Sequence, residues 1–358
     1  MKSLIVGNGR SGKAADAFIR GCGGECEVVD GLDLVVVSPG VRVMSELEFG
    51  VRELGKLGVR MIAVTGSKGK SSVVKLVAEA LGGVPCGNYG LPVTELASRV
   101  RAGEKTDWAV VEVSSFQLET TNLPEDAFVA AAILNLQEDH LDRHGSREAY
   151  HAVKRRLLSM AKVSFDCEAP DAGELLAGSY FDNAVLRANG SIAAALMRSA
   201  GLDDERIRSA FRDFSPLPHR MQLVGVFGGV KCIDDSKATS LAALGAGVEM
   251  TEGAIRLIAG GLPKGDDPNS ITYLLTNRVK KVYLIGSSAE EFFRAWSGSV
   301  DCEICRTMEN AVRTSMREAR QGETILLSPG TASFDQFKSF GERGEVFADL
   351  VNKEGKNR

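Results

Sequence analysis

The sequence predicts an α/β protein with mainly parallel sheets. Two observations carry this. Strand-like and helix-like patterns alternate through most of the chain. Several of the strand-like runs also end in glycine-rich or polar turns, the usual ligand edge of an open parallel sheet. With 358 residues the chain is long enough for two or three domains.

The first segment, 1–59, has short strands at Ser3–Val6, Glu25–Val29 and Asp33–Ser38. Gly7-Asn8-Gly9-Arg10-Ser11-Gly12 follows the first strand as G-x-G-x-x-G, and Asp30 ends the second. That is a small Rossmann-like unit. Ser38-Pro39-Gly40 ends the third strand at the same edge.

The apolar run Val59–Thr65 leads into the second segment, 60–217, and ends in the turn Gly66-Ser67-Lys68-Gly69-Lys70-Ser71-Ser72, followed by a helical pattern. Strand, glycine turn, Lys-Ser and helix make a phosphate cradle: backbone N–H groups face the anion, Lys70 adds a charge and Ser71 can ligate Mg²⁺. The spacing departs from the usual P-loop, with two residues between Gly66 and Gly69 rather than four. A turn that merely starts a helix is the competing reading. Asp107–Ser114 and Val129–Leu136 read as buried strands. Asp166–Asn189 reads as irregular, Ser191–Ser199 as an amphipathic helix and Pro216-Leu217-Pro218 as a linker.

The third segment, 218–358, has strands at Val230–Ile233, Arg256–Gly260, Lys281–Gly286 and Thr324–Ser328, with helices between.

Composition narrows the partners. Lys+Arg 43 against Asp+Glu 47 gives a net charge of −4 with no basic block, which argues against nucleic acid. No apolar run is long enough to span a bilayer, so no membrane insertion is expected. Seven cysteines without an export signal read as reduced thiols in a cytoplasmic protein. Cys302-x-x-Cys305 could be half a metal site, but no second pair has matching spacing.

Glu112, at the end of an apolar strand and beside the phosphate turn, is well placed for Mg²⁺; a capping or salt-bridging role is the alternative. Glu138, Asp139, His140 and Asp142 suggest metal or substrate work, or else a solvated acidic loop. Tyr150 and Lys154, four apart, share a helix face, and position alone makes such a lysine solvated. Arg220 could pair with phosphate bidentately. Asp234–Thr239 and Gly260–Gly265 cluster polar and glycine residues at two further strand ends.

Taken together, the stretches TGSKGKSS, CGNYGLP, EVSSFQLE, ILNLQEDHLDRHGS, PLPHR, DDSKAT, AGGLPKG and SPGTASFDQFKSFGERGEVF resemble the Mur ligases, in the family's order and over nearly the whole chain. The last stretch is most similar to the branch that adds D-glutamate. The resemblance implies three domains: a shortened Rossmann-like UDP-binding domain (1–59), a P-loop-type ATPase domain (60–217) and a Rossmann-like C-terminal domain (218–358) that binds the amino acid. It implies ATP-dependent addition of D-glutamate to UDP-N-acetylmuramoyl-L-alanine, through an acyl phosphate, by a cytoplasmic monomer.

By the same resemblance Lys70, His140, Lys154 and Lys237 are catalytic. ATP meets the Gly66–Ser72 turn, with Asn189, Arg220 and Asp235. Two Mg²⁺ sites use Ser71 and Glu112, and His140 and Lys154, the lysine being carbamylated. Arg10, Ser11, Asp30, Ser38, Pro39 and Gly40 fall where UDP is held, and Asn88 in the substrate pocket. Thr239, Lys264, Ser333, Phe334 and Phe340 form the D-glutamate pocket. The chain departs from the family at Lys68, where asparagine is usual, and at Val185-Leu186, where a His-Asn pair is usual. A sister ligase for another amino acid and a non-catalytic nucleotide-binding paralogue are the alternative readings. Ser333–Phe347 argues against the first. The full set Ser71, Glu112, His140 and Lys154 argues against the second.

Overall fold

The computed structural model describes residues 2–31, 43–137 and 141–356. Two compact units divide the chain at Phe214/Ser215.

The first unit opens with β1 (Lys2–Val6), α1 (Arg10–Gly21) and β2 (Glu25–Val29). The strands pair in parallel, Lys2 opposite Glu25 and Val6 opposite Val29. Gly12 is required by close approach, since a Cβ there would lie 1.9 Å from the Gly7 carbonyl oxygen. The third strand expected here, Asp33–Ser38, lies outside the described residues. Helix α2 (Glu46–Lys56) follows, its N-cap Ser45 accepting from Glu48 N.

Next come β3 (Arg60–Thr65), α3 (Lys70–Leu81), β4 (Val84–Gly87), α4 (Val93–Arg101), β5 (Trp108–Glu112), α5 (Ser115–Thr120), β6 (Phe128–Ile133), α6 (Leu141–His144), α7 (Arg147–Arg155) and β7 (Ala161–Asp166). Their strands form one parallel sheet in the order β4-β5-β3-β6-β7. The central strands are mainly apolar and, apart from Arg60, buried, because helices cover both faces. The unit ends with α8 (Gly173–Leu176), α9 (Arg187–Ser199) and α10 (Asp204–Asp213). The stretch expected to be irregular thus holds a short helix and the first turn of α9, which begins at Arg187 rather than Ser191. Asn183 starts that turn by accepting from Val185 N and Leu186 N.

The second unit contains β8 (Gln222–Phe227), β9 (Val230–Asp234), α11 (Leu241–Met250), β10 (Ile255–Gly260), α12 (Thr272–Arg278), β11 (Val279–Ile285), α13 (Ala289–Trp296), β12 (Asp301–Arg306), α14 (Met308–Glu318), β13 (Thr324–Leu327) and α15 (Phe340–Gly355). Its sheet runs β12-β11-β10-β13-β9-β8, parallel except for β8 against β9. Gly228 and Gly229, at φ +53° and +76°, make the two-residue hairpin between them. Cys302 packs into the core around Leu257 and Trp296, whereas Cys305 belongs to the core around Ile258 and Phe347. The two thiols therefore face different cores, and the pair is no half-site.

Candidate active site

The turn between β3 and α3 is held from three sides. Gly69, at φ +82°, is in the left-handed region, and a Cβ on it would lie 2.4 Å from Asn189 Nδ2. Asn135 braces the other flank. Its carbonyl accepts from Ser67 N (2.9 Å), its Oδ1 from Lys68 N (2.9 Å), and its Nδ2 donates to the Lys68 carbonyl (2.9 Å) and to Asn189 Oδ1 (3.3 Å). This fixes the turn before any ligand arrives and leaves the first-turn N–H groups of α3 facing outward to an anion. Lys70 Nζ lies on the carbonyl oxygens of Gly66 (2.8 Å) and Ser67 (3.1 Å). Ser67 differs from its neighbours. Its hydroxyl points inward, to Tyr150 OH (3.0 Å) and the Gln137 backbone. Ser71 is half-buried and Ser72 buried in the first turn of α3.

Parallel pairing of β5 with β3 sets Glu112 opposite Val64, so its carboxylate emerges at the edge that carries the turn. Glu112 is buried. Its Oε1 accepts from Asn88 Nδ2 at 2.8 Å, and Oε2 has no hydrogen-bond partner among the described residues. A buried carboxylate oxygen left bare costs several kcal/mol of desolvation unless a cation or donor meets it. With the Ser71 hydroxyl on the neighbouring helix, the donor set is hard oxygen and suits Mg²⁺. Among the described residues no three His, Cys, Asp or Glu side chains gather as a metal cluster. His140, with Glu138 and Asp139, lies outside the described residues.

Helix α7 supplies the last side of the turn. Ser146 caps it, accepting from Ala149 N. Tyr150 and Lys154 are both buried on its inner face. Lys154 is 2 % exposed, which overturns the solvated position expected of a helical lysine. Its Nζ donates to the Gly66 carbonyl (2.9 Å) and to Thr65 Oγ1 (3.3 Å), and sits 4.8 Å from the Tyr150 ring centroid.

Arg10 and Ser11, at the N-terminus of α1, and Asp30, after β2, are exposed. Ser38, Pro39 and Gly40 lie outside the described residues.

In the second unit, β9, β10 and β13 are parallel, so the segments after them share one edge. Backbone bonds join them: Gly330 N to Ala238 O, Gly260 N to Pro329 O, and Leu262 with Ala332 in both directions. These three segments carry Asp235, Lys237, Thr239, Lys264, Ser333 and Phe334. Arg343, fully buried on α15, ties the segments after β9 and β13 further. Its guanidinium donates to Ser236 Oγ and to the carbonyls of Ser236, Thr331 and Ala332. Lys237 Nζ lies 3.7 Å from the Phe340 ring centroid. Thr239 is half-buried, Ser333 buried, and Lys264 and Phe334 are exposed.

Asp235 points inward, accepting from Ser328 Oγ (2.9 Å) and Met221 N (3.3 Å). Burial pushes its carboxyl up to about 7. Arg220 Nε is buried without a partner among the described residues. Asn135 and Arg343 were missed by sequence reasoning. Both sit inside the family stretches, but nothing local separates them from a strand-end amide and a surface arginine.

The Mur ligase middle domain family matches residues 64–165, and the family described as Mur ligase, glutamate ligase domain matches residues 219–330. A UDP-N-acetylmuramoylalanine–D-glutamate ligase of Acidobacterium capsulatum is 32% identical over 446 aligned positions, covering 98% of this chain and 96% of that relative. The protein of the same name from Nitratidesulfovibrio vulgaris is 32% identical, covering 98% and 95%. Among solved structures, the MurF ligase of Thermotoga maritima in complex with ADP aligns with a TM-score of 0.64 at 16% identity, covering 99% of this chain and 95% of that one. Escherichia coli FolC in complex with DHPP and ADP aligns with a TM-score of 0.60 at 15% identity, covering 89% and 95%. At those identities the structures speak to the fold alone, a Mur-ligase-like α/β fold with mainly parallel sheets. The full-length sequence relatives carry the further step: this chain belongs to the UDP-N-acetylmuramoylalanine–D-glutamate ligase family of Mur ligases.

Proposed function

We propose that this chain is an ATP-dependent amide ligase that joins D-glutamate to UDP-N-acetylmuramoyl-L-alanine in peptidoglycan precursor synthesis. Full-length membership of the D-glutamate ligase family supports the reaction. The observation that carries the chemistry is the bare, buried Glu112 oxygen beside a preformed phosphate turn.

A carboxylate acylates an amine poorly until one of its oxygens becomes a good leaving group. The substrate carboxylate therefore attacks the γ-phosphorus of ATP, ADP leaves and an acyl phosphate forms. The amine of D-glutamate then adds to the acyl carbon, and phosphate departs as the tetrahedral intermediate collapses. Phosphoryl transfer needs charge neutralisation and in-line placement rather than covalent help.

The turn residues Gly66, Ser67, Lys68, Gly69, Lys70, Ser71 and Ser72 would cradle the phosphates, chiefly by backbone N–H groups. Ser71 and Glu112 would hold one Mg²⁺, which when bound screens the phosphate charge. His140 and Lys154 would hold a second. Lys154 Nζ presents a hydrogen-bond donor here, and carbamylation would turn that donor into an anionic acceptor. Asn189, Arg220 and Asp235 would serve the nucleotide. Lys237, Thr239, Lys264, Ser333, Phe334 and Phe340 would serve D-glutamate, with Lys264 meeting a carboxylate. Arg10, Ser11, Asp30, Ser38, Pro39, Gly40 and Asn88 would serve the UDP substrate.

In this reading residues 1–59, 60–217 and 218–358 act as three domains of a cytoplasmic monomer. Among the described residues no helix is long and apolar enough to cross a membrane.

The test is phosphate release from ATP and Mg²⁺ with UDP-N-acetylmuramoyl-L-alanine, with and without D-glutamate, across a panel of amino acids. Release that requires both substrates and prefers D-glutamate is expected. Release driven by another amino acid would assign a sister ligase. No release with retained nucleotide binding would assign a non-catalytic paralogue.

A further inference from the structure

One buried side chain lies outside every role assigned above. The His144 side chain, on α6, is 2 % exposed. Its Nε2 lies 3.0 Å from Ser115 Oγ and its Nδ1 3.3 Å from Glu119 Oε1. The ring stacks on Phe116 (5.8 Å, 14°) and packs obliquely on Tyr150 (5.3 Å, 52°). Arg143 grips the same Glu119 through Nε and Nη2.

Serine, histidine and glutamate in a row suggest a nucleophile and its base. Ser115 is 3% exposed in the first turn of α5, so its hydroxyl is out of a substrate's reach. The row acts on the scaffold instead. Arg143 holds the Glu119 carboxyl below its usual range, so it is ionised at neutral pH and can only accept. The 3.3 Å contact with that carboxylate places a proton on Nδ1, and Nε2 meets the Ser115 hydroxyl.

Ser115 stands three residues after Glu112. Tyr150, also packed on the imidazole, reaches the phosphate turn through Ser67 and carries Lys154 over its ring. We propose that His144 is a positioning residue that locks α5 to the α6–α7 segment and so holds Glu112 and Lys154 in register across the phosphate turn. The proposal rests on the nucleotide reading of that turn.

The test reads ADP binding by calorimetry, with Mg²⁺ and with a chelator, for His144→Ala and Ser115→Ala, beside side-chain ¹⁵N spectra of the intact protein. Four histidines make that spectrum assignable by the signal lost in His144→Ala or, if that variant does not fold, perturbed in Ser115→Ala. A roughly tenfold loss of ADP affinity confined to Mg²⁺ is expected, the size typical of losing a residue that orients a metal ligand. The spectrum should show a proton on Nδ1, held by Glu119, at neutral pH. Unchanged affinity, an equal loss with and without Mg²⁺, or an unprotonated Nδ1 would overturn the proposal. If His144→Ala does not fold, Ser115→Ala, which removes one hydrogen bond, decides. Failure of the unsubstituted protein to bind ADP would overturn the nucleotide reading itself, and the proposal with it.

Discussion

Lys154 Nζ lies 2.9 Å from the carbonyl oxygen of Gly66, although 88 residues separate them in sequence. The contact joins α7 to the first glycine of the phosphate turn, and it puts a buried amine where nucleotide phosphates would arrive. Lys154→Ala should lower ligation by about 100-fold, the upper end for losing a group that supports a metal site. If the amine works as a carbamate, acetate or another short carboxylate should restore part of that loss. Full activity in Lys154→Ala, measured by phosphate release, would remove the lysine from the chemistry.

Two glycines share φ +82° and differ in surroundings. A Cβ at Gly58 meets nothing within 4 Å, whereas one at Gly69 meets Asn189 Nδ2 at 2.4 Å. Both alanine substitutions incur backbone strain of about 1–3 kcal/mol. Only Gly69→Ala also pushes Asn189 off Asn135 and opens the turn. We expect Gly58→Ala to lower the unfolding midpoint and leave ADP affinity unchanged. Gly69→Ala should weaken ADP about tenfold or more, a loss of at least ~1.4 kcal/mol. Equal ADP affinities in a calorimetric titration would refute the difference.

What was legible in the sequence follows the range of the forces involved. β3, β5, β10, β11 and β13 are mainly apolar because both sheet faces are covered, and such runs announce themselves even where Arg256 interrupts β10 and Lys280-Lys281 interrupt β11. β12 mixes charged residues with Cys302, Ile304 and Cys305, so no apolar run marks it as a strand. β8 was missed for a similar reason, being a half-exposed edge whose pairing depends on a hairpin. In the candidate site, Gly66–Ser71 and Glu112 were legible because strand-end chemistry is local. The burial of Lys154 was not, since its partners Gly66 and Thr65 come from another part of the chain. Asn135 likewise shows its purpose only once β6 is laid beside β3.

Asp235 gives a pH signature with a definite sign. Its carboxyl titrates near 7 in the folded protein against an ordinary 3.8, because burial penalises the charge more than Ser328, Met221 N and Arg220 offset. The folded state therefore binds its proton more tightly than the unfolded state does. The stability this gives is fully present below pH ~4 and is lost as pH rises toward 7. Asp235→Asn keeps a neutral acceptor for Ser328 and Met221 and cannot ionise. The variant should gain stability relative to the unsubstituted protein between pH 4 and 7, by up to about 4 kcal/mol for three pH units. Thermal midpoints of the two proteins at matched pH values test this, and a difference that does not vary with pH would refute it.

Arg343 holds the last contact with direct functional reach. Its guanidinium is fully buried, and its hydrogen-bond acceptors are Ser236 Oγ and three backbone carbonyls rather than a carboxylate. Burial lowers it to about 10, so it is still charged at neutral pH, helped by the fields of Asp335 and Asp234. Several fixed donors on one planar group can meet acceptors from two loops at once, which a lysine ammonium on a flexible stem cannot. Arg343→Ala strips those acceptors and should destabilise the second unit by about 3–5 kcal/mol, since each buried acceptor left bare costs about 1–3 kcal/mol. Arg343→Lys keeps the charge, loses the fork, and should fold with a smaller deficit. The same loops carry Lys237 and Ser333, so in Arg343→Lys the KM for D-glutamate should rise more than the KM for ATP. Urea unfolding and steady-state kinetics read the two effects separately. Equal shifts in both KM values would show that Arg343 stabilises the unit without shaping the proposed D-glutamate pocket.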